Sequence, residues 1–164
     1  MTSPRQASVR GDIYWAGVVC MFAIAVRVLF LAWSQKHDAL FLWPVVDETT
    51  YLSDALTIAD APLERGSYRL PFWQPPGYTL ILALLLKSGM TLKGIVILQQ
   101  ALGVCSACLI FILGLKCFGR KARAWAFLGA LLFAACPAVL FYETRFLKPA
   151  WNIFGLLLLL LAFA

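Results

Sequence analysis

Long apolar runs separated by short polar stretches dominate the chain, and they predict an all-α protein with membrane-spanning helices. An α-helix needs about 20 mainly apolar residues to cross the hydrocarbon core of a bilayer. Three runs have this length, 13–33, 95–115 and 124–142, and Arg27 is the only charge that interrupts them. A fourth run, 150–164, carries no charge and is still apolar at its last residue, so we expect a transmembrane helix that has been cut short.

The stretch 34–74 is the one extended polar region and predicts a loop outside the membrane core. It holds six of the eight acidic residues of the chain but only three basic ones, which is typical of an outer loop. Apolar residues recur in it at spacings of three and four between Leu52 and Ala59, which predicts an amphipathic helix lying on the membrane surface. Asp47 or Thr49 is available to cap the start of this helix.

The apolar run within 76–88 is too short for a full span, and runs of this length are more often interfacial or re-entrant. If it crossed the membrane, the turn 116–123, with four basic residues and no acidic one, would lie outside and Glu143 inside. If it does not cross, this turn is cytoplasmic and Glu143 emerges on the same outer face as Asp47. The short length and the basic turn both favour the second topology.

Composition excludes other classes of protein. Hydrophobic residues make up 62% of the 164 residues and charged residues 13%, which rules out both a soluble globular domain and a disordered chain. The net charge of +6 would suggest nucleic acid in a soluble protein, but here the basic residues lie mostly at the ends of apolar runs. We therefore expect a bilayer rather than nucleic acid as the partner, with the N-terminus, which carries Arg5 and Arg10, in the cytoplasm.

Asp47 and Glu48 are the first candidates for chemistry. Two adjacent carboxylates repel each other, and at an apolar boundary the pKa of one of them can rise, which suits a general base. The alternative is that both residues only stabilise the start of the following helix.

Four further charges occur at membrane depth, where ionisable groups are costly and often functional. Glu143 ends an apolar run, and Arg145 and Lys148 follow it, while Arg27 lies inside the first run. The alternative for the cations is that their side chains only extend to the membrane interface. Together with Asp47 and Glu48 they suit a reaction in which a base deprotonates an acceptor hydroxyl while cations hold a lipid-linked phosphate leaving group. Direct displacement at the sugar carbon would then invert the anomeric centre.

Four segments, in chain order, resemble motifs of glycosyltransferase family 39. These are integral-membrane enzymes of the polyprenyl-phosphate-sugar-dependent (C-type) fold, related to protein O-mannosyltransferases and lipid A aminoarabinose transferases. The segments are similar to the family's Asp-Glu…Tyr motif, its Pro-Pro-x-Tyr segment with Phe-Trp-Gln before it, its Phe-Gly-Arg-Arg-Ala turn and its Glu-x-x-x-Leu-Lys-Pro segment. In this chain they are Asp47-Glu48-Thr49-Thr50-Tyr51, Phe72-Trp73-Gln74-Pro75-Pro76-Gly77-Tyr78, Phe118-Gly119-Arg120-Lys121-Ala122 and Glu143-Thr144-Arg145-Phe146-Leu147-Lys148-Pro149.

The resemblance implies transfer of a sugar from a polyprenyl-phosphate donor to a lipid, glycan or protein acceptor at the outer face of a bacterial inner membrane. It implies Asp47 as general base, Glu48 as its assistant and Glu143 as a second acidic site near donor or metal. Tyr51, Gln74 and Tyr78 fall in the motifs and join Arg27, Arg145 and Lys148 as candidate substrate-binding residues. Gln74 stands where some relatives have Lys. A divalent metal is compatible with the carboxylates, but no ligand set is specified.

Family members have many more spans, so the resemblance also implies that residues 1–164 form the N-terminal transmembrane portion of a larger enzyme. On that basis the 164-residue chain alone is expected to be inactive. The alternative is a non-catalytic polytopic membrane protein, such as a transporter subunit or assembly factor. A transporter is expected to place ionisable groups near the middle of its spans, and the runs 95–115 and 124–142 contain no charge.

Overall fold

The computed structural model describes residues 4–60 and 74–164, with side chains from residue 11 onward. Within these ranges the chain is entirely helical and contains no strand, which confirms the all-α expectation. The helices are α1 (Pro4–His37), α2 (Asp47–Asp60), α3 (Pro76–Lys87), α4 (Leu92–Phe118), α5 (Arg123–Ala134), α6 (Pro137–Glu143) and α7 (Pro149–Phe163), with a 3₁₀ turn at Arg120–Ala122 between α4 and α5. The expected polar loop lies partly outside the described residues, including the motif residues Phe72 and Trp73.

In the described part of the chain, two helices are long and apolar enough to cross a membrane, α1 over Gly11–His37 and α4, each with 27 residues. They agree with the first two predicted spans and extend them by a few residues at each end. Helix α7 has 15 residues, or about 22 Å at 1.5 Å per residue, which is shorter than a bilayer core of about 30 Å.

The predicted span over 124–142 is divided into two helices, α5 and α6, with a bend of 51° between them. Pro137 begins α6, and the residue before it, Cys136, is extended with φ −67° and ψ 116°. Proline lacks a backbone N–H and disfavours the helical conformation in the residue that precedes it. The two pieces still qualify together as one broken span.

Ion pairs and hydrogen bonds define the two ends of the bundle. At what we call the Asp12 end, the Asp12 carboxylate lies 2.9 Å from Nε of Arg120 and 2.7 Å from Nη2 of Arg123. At the opposite end, the Asp47 end, Oε1 of Glu48 accepts a hydrogen bond of 3.0 Å from the backbone N–H of Phe146. Helices α1 and α4 are therefore antiparallel, and the chain returns to the Asp47 end through α5 and α6.

Helix α3 stays at the Asp47 end, where it packs against α2. The rings of Tyr51 in α2 and Tyr78 in α3 meet edge to face, with their centroids 5.1 Å apart. Both rings belong to a buried core that also contains Leu82, Ile95 and Phe146. This arrangement is the one that the second topology requires, in which 76–88 does not cross.

A second core, near the Asp12 end, joins α1, α4 and α5 through small side chains. Ala126, Ala130 and Ala134 recur every four residues on α5 and are buried. A Cβ atom added at Gly114 of α4 would lie 2.6 Å from Cβ of Ala126, so these two helices are in close contact. Small residues at helix interfaces allow this approach in membrane proteins.

The two ends predict a labelling pattern in membranes. In a background with the five cysteines replaced, single cysteines at Asp47 and Tyr142 should react with an impermeant thiol reagent from one side of the membrane. A cysteine at Lys121 should react only from the other side, because Lys121 adjoins the Asp12 end. Labelling of positions 47 and 142 from opposite sides would contradict the arrangement.

Candidate functional site

The segment before α2 has an unusual backbone that sets the position of Asp47. Leu42 and Val46 both have positive φ, 60° and 50°. Left-handed conformation is uncommon outside glycine and is costly for a β-branched residue such as Val46, and it persists only where surrounding contacts enforce it. Helix α2 begins at Asp47, one residue after the turn at Val46, so the two expected caps, Asp47 and Thr49, both lie inside the helix.

Glu48 supplies the contacts that hold this turn. Its side chain is buried, with 3% of the residue exposed. Oε2 accepts a hydrogen bond of 3.1 Å from the N–H of Val45, and Oε1 accepts one of 3.0 Å from the N–H of Phe146. The carboxylate therefore fastens the loop before α2 to the segment between α6 and α7, and both of its oxygens are engaged.

Asp47, its neighbour, has the opposite environment. Its side chain is exposed and has no hydrogen-bond or ion-pair partner within the described part of the chain. It borders a cavity of about 230 Å³ that is otherwise lined mainly by apolar residues, among them Leu40, Val46, Phe141 and Leu147, together with Arg145. The structure thus gives two adjacent carboxylates different roles, one structural and one open to a ligand.

Arg145 borders the same cavity but is already paired. Its Nη2 lies 2.7 Å from Oδ2 of Asp38, and its Nη1 donates a hydrogen bond of 2.8 Å to the carbonyl oxygen of Leu40. The guanidinium also lies 4.8 Å from the centre of the Phe141 ring. Asp38 is one of the six acidic residues of the polar region 34–74. No local sequence pattern connects it to Arg145, which lies 107 positions away.

Arg27 and Glu143 form a buried ion pair between α1 and α6. Nη2 of Arg27 lies 2.8 Å from Oε1 of Glu143, and the side chains are 3% and 2% exposed. The pair lies against Gly103 of α4, where an added Cβ would overlap Oε1 of Glu143 and lie 2.5 Å from Nη2 of Arg27. Gly103 was not identified from the sequence. A residue without a side chain fits there because the side chains of Arg27 and Glu143 lie close to its backbone.

Gln99 of α4, also missed as a site residue, connects three elements. Its Oε1 accepts a hydrogen bond of 2.9 Å from the hydroxyl of Tyr78, and its Nε2 donates to the backbone oxygens of Glu143 at 3.1 Å and Arg145 at 2.7 Å. Burial, with Glu48 and Tyr51 nearby, raises the pKa of the Tyr78 phenol far above its usual range. The phenol therefore remains a neutral donor at every physiological pH.

The remaining predicted residues, Tyr51, Gln74 and Lys148, also lie at the Asp47 end. The hydroxyl of Tyr51 donates a hydrogen bond of 3.1 Å to Oε1 of Gln74, where the described chain resumes. Lys148 precedes α7 and is half-buried. Among the described residues, no group of three or more His, Cys, Asp or Glu side chains is placed to hold a metal ion.

The contrast between Glu48 and Asp47 predicts different effects on stability. Glu48→Ala leaves two buried backbone N–H groups without acceptors, so we expect a loss of roughly 2–4 kcal/mol. Asp47→Ala, one residue away, should change stability by less than about 0.5 kcal/mol. Unfolding of both variants in detergent, followed by circular dichroism, measures the difference, and equal losses would contradict the assigned roles.

Gly103→Ala should displace the ion pair and destabilise the bundle by roughly 3 kcal/mol, as expected when a buried pair is broken. Gly17→Ala on α1 is the matched control, because its added Cβ meets no atom within 4 Å. Thermal unfolding of the two variants provides the measurement. A Gly103→Ala protein as stable as the control would show that the pair is not held in this position.

Comparison of the chain with family models, with curated proteins and with solved structures gave no match. The resemblance to glycosyltransferase family 39 therefore stays a prediction that rests on the quoted motifs, and the geometry of the Asp47 end is the independent support for a function.

Proposed function

We propose that the protein is a polytopic membrane glycosyltransferase that moves a sugar from a polyprenyl-phosphate donor to an acceptor hydroxyl. The observation that carries the proposal is the environment of Asp47. Its carboxylate is exposed, unpaired within the described residues and on the edge of a cavity, whereas the carboxylates of Asp38, Glu48 and Glu143 are all engaged. A general base must be free to accept a proton and accessible to the group that provides it.

The proposed reaction is a single displacement. Asp47 removes the proton from the acceptor hydroxyl, and the hydroxyl oxygen forms a bond to the anomeric carbon. The bond from this carbon to the phosphate oxygen breaks, and polyprenyl phosphate leaves with the electron pair. Attack from the side opposite the leaving group inverts the anomeric centre. No step passes through a metal ion.

The contacts of Arg27, Arg145 and Lys148 change the phosphate-binding role that was expected of all three. Arg27 and Arg145 each hold a carboxylate, so we assign them as positioning residues. Lys148 follows Leu147, which lines the cavity, and has no ion-pair partner in the part of the chain described. It is the better candidate for the phosphate of the donor, because a flexible ammonium group can approach a phosphate as a point charge.

The proposal includes an orientation in the membrane. The Asp12 end carries four basic side chains within eight residues and would face the cytoplasm, so the Asp47 end would face the outside of a bacterial inner membrane. Helices α1 and α4, the broken pair α5–α6 and the shorter α7 would then be the segments in the bilayer, with α2 and α3 at the outer surface.

A second candidate function, a transporter subunit, is favoured by one observation. Arg27 and Glu143 are ionisable groups buried inside the bundle, and Oε2 of Glu143 has no hydrogen-bond partner among the described residues. Buried ionisable groups of this kind often mark ion or proton pathways. The two functions are distinguished by the residue on which activity depends, Asp47 for transfer and Glu143 for transport.

The test replaces Asp47 with Asn at the natural gene, so that whatever complete protein the gene encodes is assayed. Transfer of sugar from a polyprenyl-phosphate donor, measured in isolated membranes, should fall at least about 100-fold, since a general base contributes roughly 10²–10⁴-fold. Asp60→Asn, at the exposed end of α2, is the matched control and should retain activity. Full transfer activity in Asp47→Asn membranes would exclude Asp47 as the base.

A further inference from the structure

We propose that the Asp12 end carries a binding site for one anionic phospholipid, whose headgroup lies on the basic turn after α4 and whose acyl chain lies in an adjoining apolar groove. This inference does not depend on the transferase proposal, because it concerns the opposite end of the bundle. Two independent features meet there, a groove between helices and a cluster of basic side chains.

The groove runs between α4 and α5, with α7 along one side. It has a volume of about 380 Å³, and its lining residues include Ile110, Gly114, Phe118, Trp125, Gly129 and Leu157. From Ile110 to Phe118 the wall extends about 12 Å along α4, close to the thickness of one bilayer leaflet core of about 15 Å. A groove of this length and composition suits an acyl chain.

The absence of a side chain at Gly129 contributes to the space in this groove. Gly129 is exposed on α5, and a Cβ atom added to it would meet no atom within 4 Å. Trp125 lies one helical turn earlier and is 75% exposed, and Phe118 on α4 is 76% exposed. Aromatic side chains are enriched at the level of lipid headgroups, so their exposure here marks the membrane boundary at the mouth of the groove.

The charge beside this mouth favours an anionic headgroup. Lys116, Arg120, Lys121 and Arg123 lie within eight residues, and Asp12 is the acidic side chain that faces them. Arg120 remains 47% exposed although it is paired with Asp12, and Lys116 and Lys121 are exposed. The cluster therefore keeps an excess of positive charge where the phosphate of a lipid in the groove would lie.

A zwitterionic lipid could fill the groove, but it would gain less from the basic turn. A lysine near an anionic membrane surface strengthens binding roughly fivefold, and salt weakens this contribution over a Debye length of about 10 Å at 0.1 M. The site should therefore prefer phosphatidylglycerol to phosphatidylcholine by about tenfold at low salt, with a smaller preference at 0.5 M salt.

The experiment uses the protein reconstituted in phosphatidylcholine vesicles that contain increasing amounts of phosphatidylglycerol. Either lipid carries brominated acyl chains, which quench tryptophan fluorescence on contact. The contribution of Trp125 is obtained by subtracting the signal of a Trp125→Phe variant, and it gives the relative affinity of the groove for the two lipids. Addition of inorganic phosphate distinguishes lipid from free phosphate, since phosphate alone should not displace the brominated chain.

Two sets of variants test the contacts with the lipid headgroup and the contacts with the acyl chain separately. Lys116→Gln with Lys121→Gln should reduce the tenfold preference to about twofold, and the matched pair Lys87→Gln with Lys93→Gln, at the opposite end, should leave it unchanged. Gly129→Leu should fill the groove and remove most of the quenching by both lipids. Gly155→Leu is its control, because Gly155 on α7 also has open space at its Cβ position.

Two results would overturn the proposal. Equal quenching by the two lipids in the unmodified protein would show that the basic turn does not select a headgroup. Unchanged quenching in Gly129→Leu would show that no acyl chain occupies the groove, as would be the case if another segment or a partner protein covered it. Thermal unfolding of each variant, compared with that of its control, identifies any loss that is due to misfolding.

Discussion

The buried ion pair between Arg27 and Glu143 is the interaction on which the Asp47 end of the molecule depends. Two charges removed from water cost several kcal/mol each, and this cost is offset only when the pair has good geometry. The fold provides that geometry by placing Gly103 beneath the pair, since any side chain there would occupy the position of the carboxylate. The pair ties the middle of α1 to the end of α6 and so determines where the chain turns towards α7.

The other polar contacts follow from that turn. Once α6 ends at Glu143, Gln99 can bond to the backbone oxygens on either side of Thr144, and the N–H of Phe146 can reach Glu48. Glu48 in turn holds the left-handed turn at Val46 and leaves Asp47 directed away from the helical core. A short series of hydrogen bonds thus connects an ion pair inside the bundle to an exposed carboxylate on its surface, and it would give the proposed general base a fixed position.

The two ends of the bundle differ in their balance of charge and in the contacts of their charged side chains. At the Asp47 end, acidic and basic side chains are present in about equal numbers, and several carboxylates are engaged with backbone or guanidinium groups, whereas that of Asp47 has no partner among the described residues. At the Asp12 end, cations outnumber acidic groups and border an apolar groove that small residues leave open. The apolar surface between the ends suits a bilayer, and the ion pair of Arg27 with Glu143 and the amide of Gln99 connect different helices within it.

The sequence by itself determined the helical class, the positions of α1 and α4 and the short α3, and it made residues 47, 48 and 143 candidates, because length, hydropathy and charge are local properties of a chain. Pro137 was visible within 124–142, but the sequence did not show that a kink at this proline would divide the span. Only the tertiary structure decided which carboxylate is free. The partners that engage Glu143, Arg145 and Glu48 lie 116, 107 and 98 residues away along the chain, and the roles of Gln99, Gly103 and Asp38 arise from the same long-range contacts. Such pairings depend on how helices pack against each other, and no local periodicity records them.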